Sequence, residues 1–200
     1  MLHTTFRLMS GLQPRGLDYR ELARHLGEGR IYGQDTPIPL DKVLDVVGLE
    51  AALWCLSRTV EDCSGMDRLL AADYAERVLR YFEDVFPEDD HPREAIEIAR
   101  KFARGEISND VRHLIFCSTS DAALAAVRES SEAAAAFAAL FCAEGGNPVA
   151  LTAHYQASTA VRRAKGSEAA AAEERWQEER LREYLAAHLD EPEKPNTEDE

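Results

Sequence analysis

The 200-residue sequence has few cysteines and no long apolar segment, and these absences exclude several classes of protein. Its four cysteines include no C-x-x-C pair, and a chain this large with so few thiols is not a disulfide-stabilised secreted scaffold. No stretch approaches the roughly 18–20 apolar residues that span a bilayer, and the N-terminus has no basic start followed by a long apolar run. The sequence therefore predicts a cytoplasmic protein with reduced cysteines.

The motifs of common hydrolases and nucleotide-binding enzymes are also missing. No G-x-S-x-G, S-x-x-K, H-E-x-x-H or G-x-x-x-x-G-K-[ST] pattern is present. His113 and Cys117, with Cys55 and Cys63, offer zinc ligands, but their spacing does not specify a metal and core packing of the thiols is the simpler interpretation. The run Asp89–His91 is explained most simply as the turn before a helix. We expect no catalytic residue, no metal site and no cofactor.

Acidic residues far outnumber basic ones. Asp and Glu number 37 against 23 Lys and Arg, which gives a formal net charge of −14 and a pI near 4.9. Residues 190–200 hold six acidic residues and one basic residue and predict a disordered acidic tail. The rest of the chain is acidic too, which disfavours nucleic acid and anionic membranes and suits a protein partner with a basic surface. An acidic surface that only maintains solubility is the alternative interpretation.

The pattern of apolar residues from Leu40 onward is that of helices, and it predicts an all-α, multi-helix bundle. Three parts are expected: an N-terminal extension (1–36), a helical domain (37–189) and the acidic tail (190–200). The predicted helices span residues 40–47, 49–59, 66–86, 92–104, 108–116, a segment from Ser120 or Asp121 through Ala143, 149–165 and 167–189.

The N-terminal extension has weaker signals. Residues 1–9 alternate between apolar and polar side chains as a strand would, residues 17–26 fit a short helix, and Arg30–Gly33 is a second strand candidate. The linker Gln34–Pro39 contains two prolines and marks a boundary. Elements this small cannot stand alone, so the extension must pack on the helical domain or remain mobile.

Residues 66–107 predict a helical hairpin with one apolar and one charged face. The apolar side chains recur at spacings of three and four: Leu70, Tyr74, Val78, Tyr81, Phe82 and Val85. Pro87 ends the first helix and Pro92 suits the first turn of the second. Outside the hairpin, Trp54 is expected in the core. Trp176 has charged neighbours and fits either half-buried packing or a partner anchor.

The hairpin also resembles a known family. The matching runs are Ala72–Leu79, Phe82-Glu83, Pro87, Asp89–Arg93, Ala95–Glu97 and Ala103–Glu106, with further matches upstream within Leu44–Trp54 and weaker ones at Trp176-Gln177, Arg180-Leu181 and Tyr184-Leu185. In these residues the chain is similar to the immunity proteins of bacterial polymorphic-toxin systems. The resemblance implies a cytoplasmic protein that binds a cognate toxin domain and neutralises it by occlusion, without catalysis. Residues 1–36 have no counterpart in it.

Where the resemblance is closest, charged residues lie away from the apolar stripe, and we predict that they form the partner-binding surface. They are Asp73, Glu76, Arg77, Arg93, Glu97 and Arg100. The alternative is that they only pair with one another along their helices, each pair contributing about 0.2–0.5 kcal/mol. Two other functions stay open: a helical adaptor or regulator without a toxin partner, and a metal-dependent enzyme built in a helical bundle.

Overall fold

The computed structural model of the protein describes residues 1–10, 19–26, 33–125, 130–144 and 148–188. Within these ranges it contains ten α-helices, a two-stranded sheet and a 3₁₀ turn (Leu56–Arg58), and the all-α prediction is confirmed. The elements are β1 (His3–Thr4), α1 (Phe6–Met9), α2 (Tyr19–His25), β2 (Ile38–Pro39), α3 (Leu40–Val47), α4 (Leu49–Cys55), α5 (Ser64–Glu83), α6 (His91–Ala103), α7 (Asn109–Ala125), α8 (Ser131–Cys142), α9 (Val149–Lys165) and α10 (Ser167–Ala187).

Some of the predicted features lie in segments that the structure does not describe. The predicted acidic tail, 190–200, lies outside the described residues, as do positions 30–32 of the second strand candidate. The proposed domain boundary near residue 37 stays a prediction. None of the helices in the described ranges is long and apolar enough to cross a membrane.

The N-terminal segment packs on the helical body through a small antiparallel sheet. His3 lies opposite Pro39 and Thr4 opposite Ile38. The strand is far shorter than the predicted 1–9, because the Thr5 hydroxyl accepts a hydrogen bond from the Leu8 backbone N–H at 3.1 Å and starts α1. In the same N-terminal segment, the buried side chains Leu2, Met9 and Leu22 belong to the same core as the later helices.

Helix α5 lies at the centre of the bundle and packs against α6, α8 and α9. Its predicted apolar face is largely confirmed, since Leu70, Tyr74, Val78 and Phe82 are all buried. Tyr81 is only partly buried, and Val85 is 52% exposed because the helix ends at Glu83 and Val85 lies in the turn beyond it. The predicted core position of Trp54 is confirmed.

The boundary predicted between α7 and α8 is wrong. Helix α7 continues to Ala125, and α8 begins at Ser131 with the Ser130 hydroxyl accepting from the Ala133 N–H at 3.0 Å. The hydroxyl of Thr119 donates to the Ile115 carbonyl one turn earlier, at 2.9 Å, so the polar run there is accommodated inside a helix. The many alanines of α8 are buried and allow α5, α8 and α9 to approach closely.

Two glycines redirect the chain between successive helices. Gly48 (φ 96°, ψ −178°) joins α3 to α4, and Gly166 (φ 87°, ψ 180°) joins α9 to α10. This backbone conformation is essentially restricted to glycine, so both junctions depend on residue type and not on available space. The predicted ends of α3 and α9 and the predicted starts of α4 and α10 are confirmed by these boundaries.

Candidate partner-binding face

Asp73 on α5 is the centre of an ion-pair network that joins three helices. Its Oδ1 accepts from Arg100 Nη2 of α6 at 2.8 Å, and its Oδ2 accepts from Arg180 Nε of α10 at 2.8 Å. The Tyr184 hydroxyl of α10 donates to the same Oδ2 at 2.9 Å. Only 14% of the Asp73 side chain is exposed, so three donors largely cover this carboxylate.

The network continues outward through Arg100. Its Nη2 also donates to Glu76 Oε2 at 2.6 Å, and the carboxylates of Glu76 and Asp73 together raise the pKa of this guanidinium above its usual value. Half of the Glu76 side chain is exposed, compared with a quarter for Arg100. The three residues Asp73, Glu76 and Arg100 therefore meet at the α5–α6 seam, with Glu76 as the member that reaches solvent.

At the other end of the hairpin, Arg93 donates through Nε to Glu83 Oε1 at 2.7 Å and is half exposed. Glu97 lies between these two clusters on α6, is exposed, and has no hydrogen-bond or ion-pair partner among the described residues. Glu97 and Arg93 thus face solvent as the sequence predicted. Among the predicted site residues, Glu97 is the one that makes no hydrogen bond or ion pair within the described ranges.

Arg77 points to the opposite seam, between α5 and α10. Its Nε donates to Glu173 Oε2 at 2.7 Å, and its guanidinium lies 4.1 Å from the centre of the Trp176 ring. Trp176 also packs edge-on against Tyr74, with ring centroids 6.2 Å apart. Trp176 is therefore a half-buried packing residue, which fits the first of its two interpretations.

Glu173 connects Arg77 to a buried polar chain. Gln177 donates through Nε2 to Glu173 Oε1 at 3.1 Å, and its Oε1 lies 2.5 Å from His154 Nδ1. Because the Gln177 oxygen can only accept, Nδ1 of His154 is the donor in this contact. Gln177, Glu173 and His154 are all buried, so the chain links the core between α9 and α10 to the surface at Arg77.

His154 and Ser158 line a cavity of about 600 Å³ between α4, α9 and α10, and they are the residues that most resemble a catalytic pair. Ser158 is buried, and its hydroxyl has no hydrogen-bond partner in the described part of the chain. A serine nucleophile needs hydrogen-bond contact with its base, and this pair lacks that contact in the structure. The geometry thus gives no direct support to acyl-transfer chemistry here.

The cysteines form no disulfide. Cys55, Cys63 and Cys142 are buried, and burial raises the pKa of their thiols to about 12, about 11 and about 12 respectively. Cys117 is exposed, with Sγ 3.8 Å from His113 Nε2. Within the described ranges, no group of three or more His, Cys, Asp or Glu side chains is arranged to hold a metal ion.

Sequence reasoning missed the contribution of α10 to this face. Arg180, Tyr184 and Glu173 anchor Asp73 and Arg77, and nothing in the periodicity of α5 or α6 points to them. The available signal was the weaker resemblance at Trp176–Leu185, which covers the same segment. We call the outer surface of α5 and α6 together with the α10 residues that contact it the charged face.

The comparisons with known proteins bear on this same region. A sequence model of the family described as "Imm-5 like putative immunity protein" matches residues 68–184, which is more than half of the chain. The chain therefore belongs to this family. No curated protein and no solved structure matches it.

Proposed function

We propose that this member of the Imm-5-like immunity family binds a cognate toxin domain in the cytoplasm and neutralises it by occlusion, without turnover. Family membership supports a protein partner of this kind. The free thiols of all four cysteines suit a reducing compartment.

The observation that carries the proposal is the way the charged face is held in place. Four arginines of this face pair with a carboxylate on a different helix: Arg77 with Glu173, Arg93 with Glu83, and both Arg100 and Arg180 with Asp73. Side chains fixed in this way lose little conformational freedom when a partner docks. A pre-ordered array of both signs therefore favours specific recognition over a merely solvated surface.

The acids Glu76 and Glu97 are exposed negative groups of this face. Together with the net charge of −14, they favour a toxin whose contacting surface is basic, because long-range attraction accelerates encounter. We propose that these two residues, with Arg77, Arg93 and Arg100, contact the toxin, and that Asp73 contributes by positioning Arg100 and Arg180.

The experiment is a titration of toxin activity against this protein, with the toxin encoded beside its gene. Occlusion predicts a sharp endpoint at a fixed molar ratio that does not move with incubation time. Inactivation by less than stoichiometric amounts, increasing with time, would instead indicate an enzyme that modifies the toxin. No inhibition at large excess would contradict the proposal and favour the adaptor or regulator alternative.

A further inference from the structure

A second cavity, of about 340 Å³, lies between α5, α9 and α10, and its walls are basic. Arg77 and Arg80 reach it from α5, and Lys165 reaches it from the end of α9. Ala169 and Ala172 of α10 line it with small side chains that leave the space open. This concentration of cations is unexpected on a chain with a net charge of −14.

The guanidinium of Arg77 is fixed in the wall of this cavity. Its Nε is used by Glu173 and its plane rests against Trp176, whereas Nη1 and Nη2 have no hydrogen-bond partner among the described residues. A guanidinium held by its Nε edge presents two parallel N–H donors, which is the arrangement that a carboxylate or phosphate accepts.

Two further cations have donors to spare. Arg80 makes one long hydrogen bond, from Nη2 to the Tyr81 hydroxyl at 3.4 Å, which leaves Nε and Nη1 available. Lys165 is exposed, and its ammonium has no ion-pair partner within the described ranges. Tyr81 also lines the cavity, so its hydroxyl is a neutral donor beside the cations.

The nearby acids do not cancel this charge. Glu173 lines the cavity and is paired with Arg77, and it also acts on Arg80; Asp84 acts on Arg80 from outside the cavity lining. The remaining acidic surface acts at longer range, and charges more than about 8 Å apart in solution are largely screened at physiological salt. The lining therefore holds three cations, Arg77, Arg80 and Lys165, against one acid, Glu173.

We propose that this cavity binds an oxyanion, with the terminal nitrogens of Arg77 gripping two of its oxygens and Arg80 and Lys165 neutralising its charge. The same chemistry fits a free phosphate and the side-chain carboxylate of a partner protein. The proposal concerns this chain alone and stands whether or not a toxin is its partner.

The test is a titration of the isotope-labelled protein followed by backbone amide NMR at constant ionic strength. One arm uses inorganic phosphate and the other uses N-acetylglutamate α-amide, which presents a single side-chain carboxylate. We expect saturable shifts at Ala169 and Ala172 with at least one probe. The double variant Arg80→Gln/Lys165→Gln should weaken that binding at least tenfold. The matched control Lys101→Gln/Arg104→Gln removes two exposed cations at the C-terminal end of α6 and should leave that binding unchanged.

The outcomes distinguish a free phosphate from a partner's carboxylate as the bound oxyanion, and they also show whether the cavity binds an oxyanion at all. Saturation by phosphate at millimolar concentration assigns the site to a free anion. Saturation by the carboxylate probe, with no saturable shift from phosphate, assigns the site to an acidic side chain of a partner. The single variant Arg80→Gln is titrated with the same probe, and its affinity is compared with that of the unchanged protein; it should bind more weakly. Shifts that never saturate, or that persist equally in the cavity variants, overturn the proposal.

Discussion

Asp67 and Arg68, consecutive residues near the start of α5, hold the facing ends of two consecutive helices. Asp67 Oδ2 accepts from the Val149 N–H at 2.9 Å, and Oδ1 accepts from the Ala150 N–H at 3.0 Å, at the start of α9. Arg68 Nη1 donates to the Cys142 and Glu144 carbonyls, both at 2.7 Å, at the end of α8. The carboxylate meets the positive end of one helix dipole and the guanidinium meets the negative end of the other.

Replacing Arg68 with Met should destabilise the protein by about 3 kcal/mol. The side chain is buried, and its loss leaves two carbonyls at the end of α8 without their donor. Urea unfolding followed by circular dichroism measures the change. Arg104→Met, at an exposed position, is the control and should change the free energy of unfolding by less than about 0.5 kcal/mol. Equal losses in the free energy of unfolding for the two variants would mean that the buried hydrogen bonds of Arg68 do not stabilise the fold.

Asp67 should make stability fall as pH rises from about 4 to 6. Burial raises the pKa of its carboxyl to about 6 in the folded protein, opposed by the two helix N–H groups and Arg68. The unfolded carboxyl titrates near 4, so within this window the folded state binds more protons and loses stability with increasing pH. The expected loss is roughly 3 kcal/mol in the free energy of unfolding, complete above the folded pKa.

The matched comparison is Asp67→Asn, which cannot ionise. The free energy of unfolding of the unchanged protein minus that of this variant should become more negative between pH 4 and pH 7. Every other titrating group is common to both proteins and cancels in the difference. A difference that stays constant with pH would contradict the raised pKa of Asp67.

Asp73 and Glu97 are both acids of the predicted site, but the structure gives them opposite roles. Asp73→Asn should cost about 2 kcal/mol of stability, because Arg100, Arg180 and Tyr184 all donate to its carboxylate. Glu97→Gln should be within about 0.5 kcal/mol of the unchanged protein, because the side chain is exposed and unpaired in the described part of the chain. Thermal unfolding of the two variants tests this contrast, and a larger loss for Glu97→Gln would reverse the assignment.

Local signals in the sequence predicted most helices correctly, since their information lies within a few residues. Gly48 and Gly166 end helices where expected, and the apolar spacing of α5 is that of its buried face. The α7–α8 boundary was wrong because Ser120 and Asp121 are good capping residues in isolation, and only the surrounding packing decides between them and Ser130.

The contacts of Asp67 and Asp73 could not be predicted from local sequence signals, because their partners are far away along the chain. Asp67 pairs with backbone groups 82 and 83 residues away, and Asp73 meets Arg180 and Tyr184 at separations of 107 and 111. A charged residue in a helical pattern is normally solvated, so periodicity alone assigns both to a surface. Their burial is a property of the assembled bundle.

The family resemblance has a partly structural explanation. Its runs in α5 and α10 touch each other, since the Tyr74 hydroxyl donates to the Gln177 carbonyl at 2.8 Å and Asp73 pairs with Arg180. Residues such as these are accounted for by helix packing. Glu97 lies in a matching run and is accounted for by no contact among the described residues, which makes it the most informative position on the charged face.

The most direct test of the charged face is therefore the affinity of the cognate toxin for Glu97→Arg, measured by isothermal titration calorimetry. A partner surface predicts an unchanged melting temperature and binding weakened by about 2 kcal/mol, or roughly thirtyfold in Kd. Glu179→Arg is the matched control, since Glu179 is exposed on α10 and carries the same charge change. It should bind nearly as the unchanged protein does. Equal affinity of Glu97→Arg and Glu179→Arg for the toxin would contradict the assignment of this face as the partner surface.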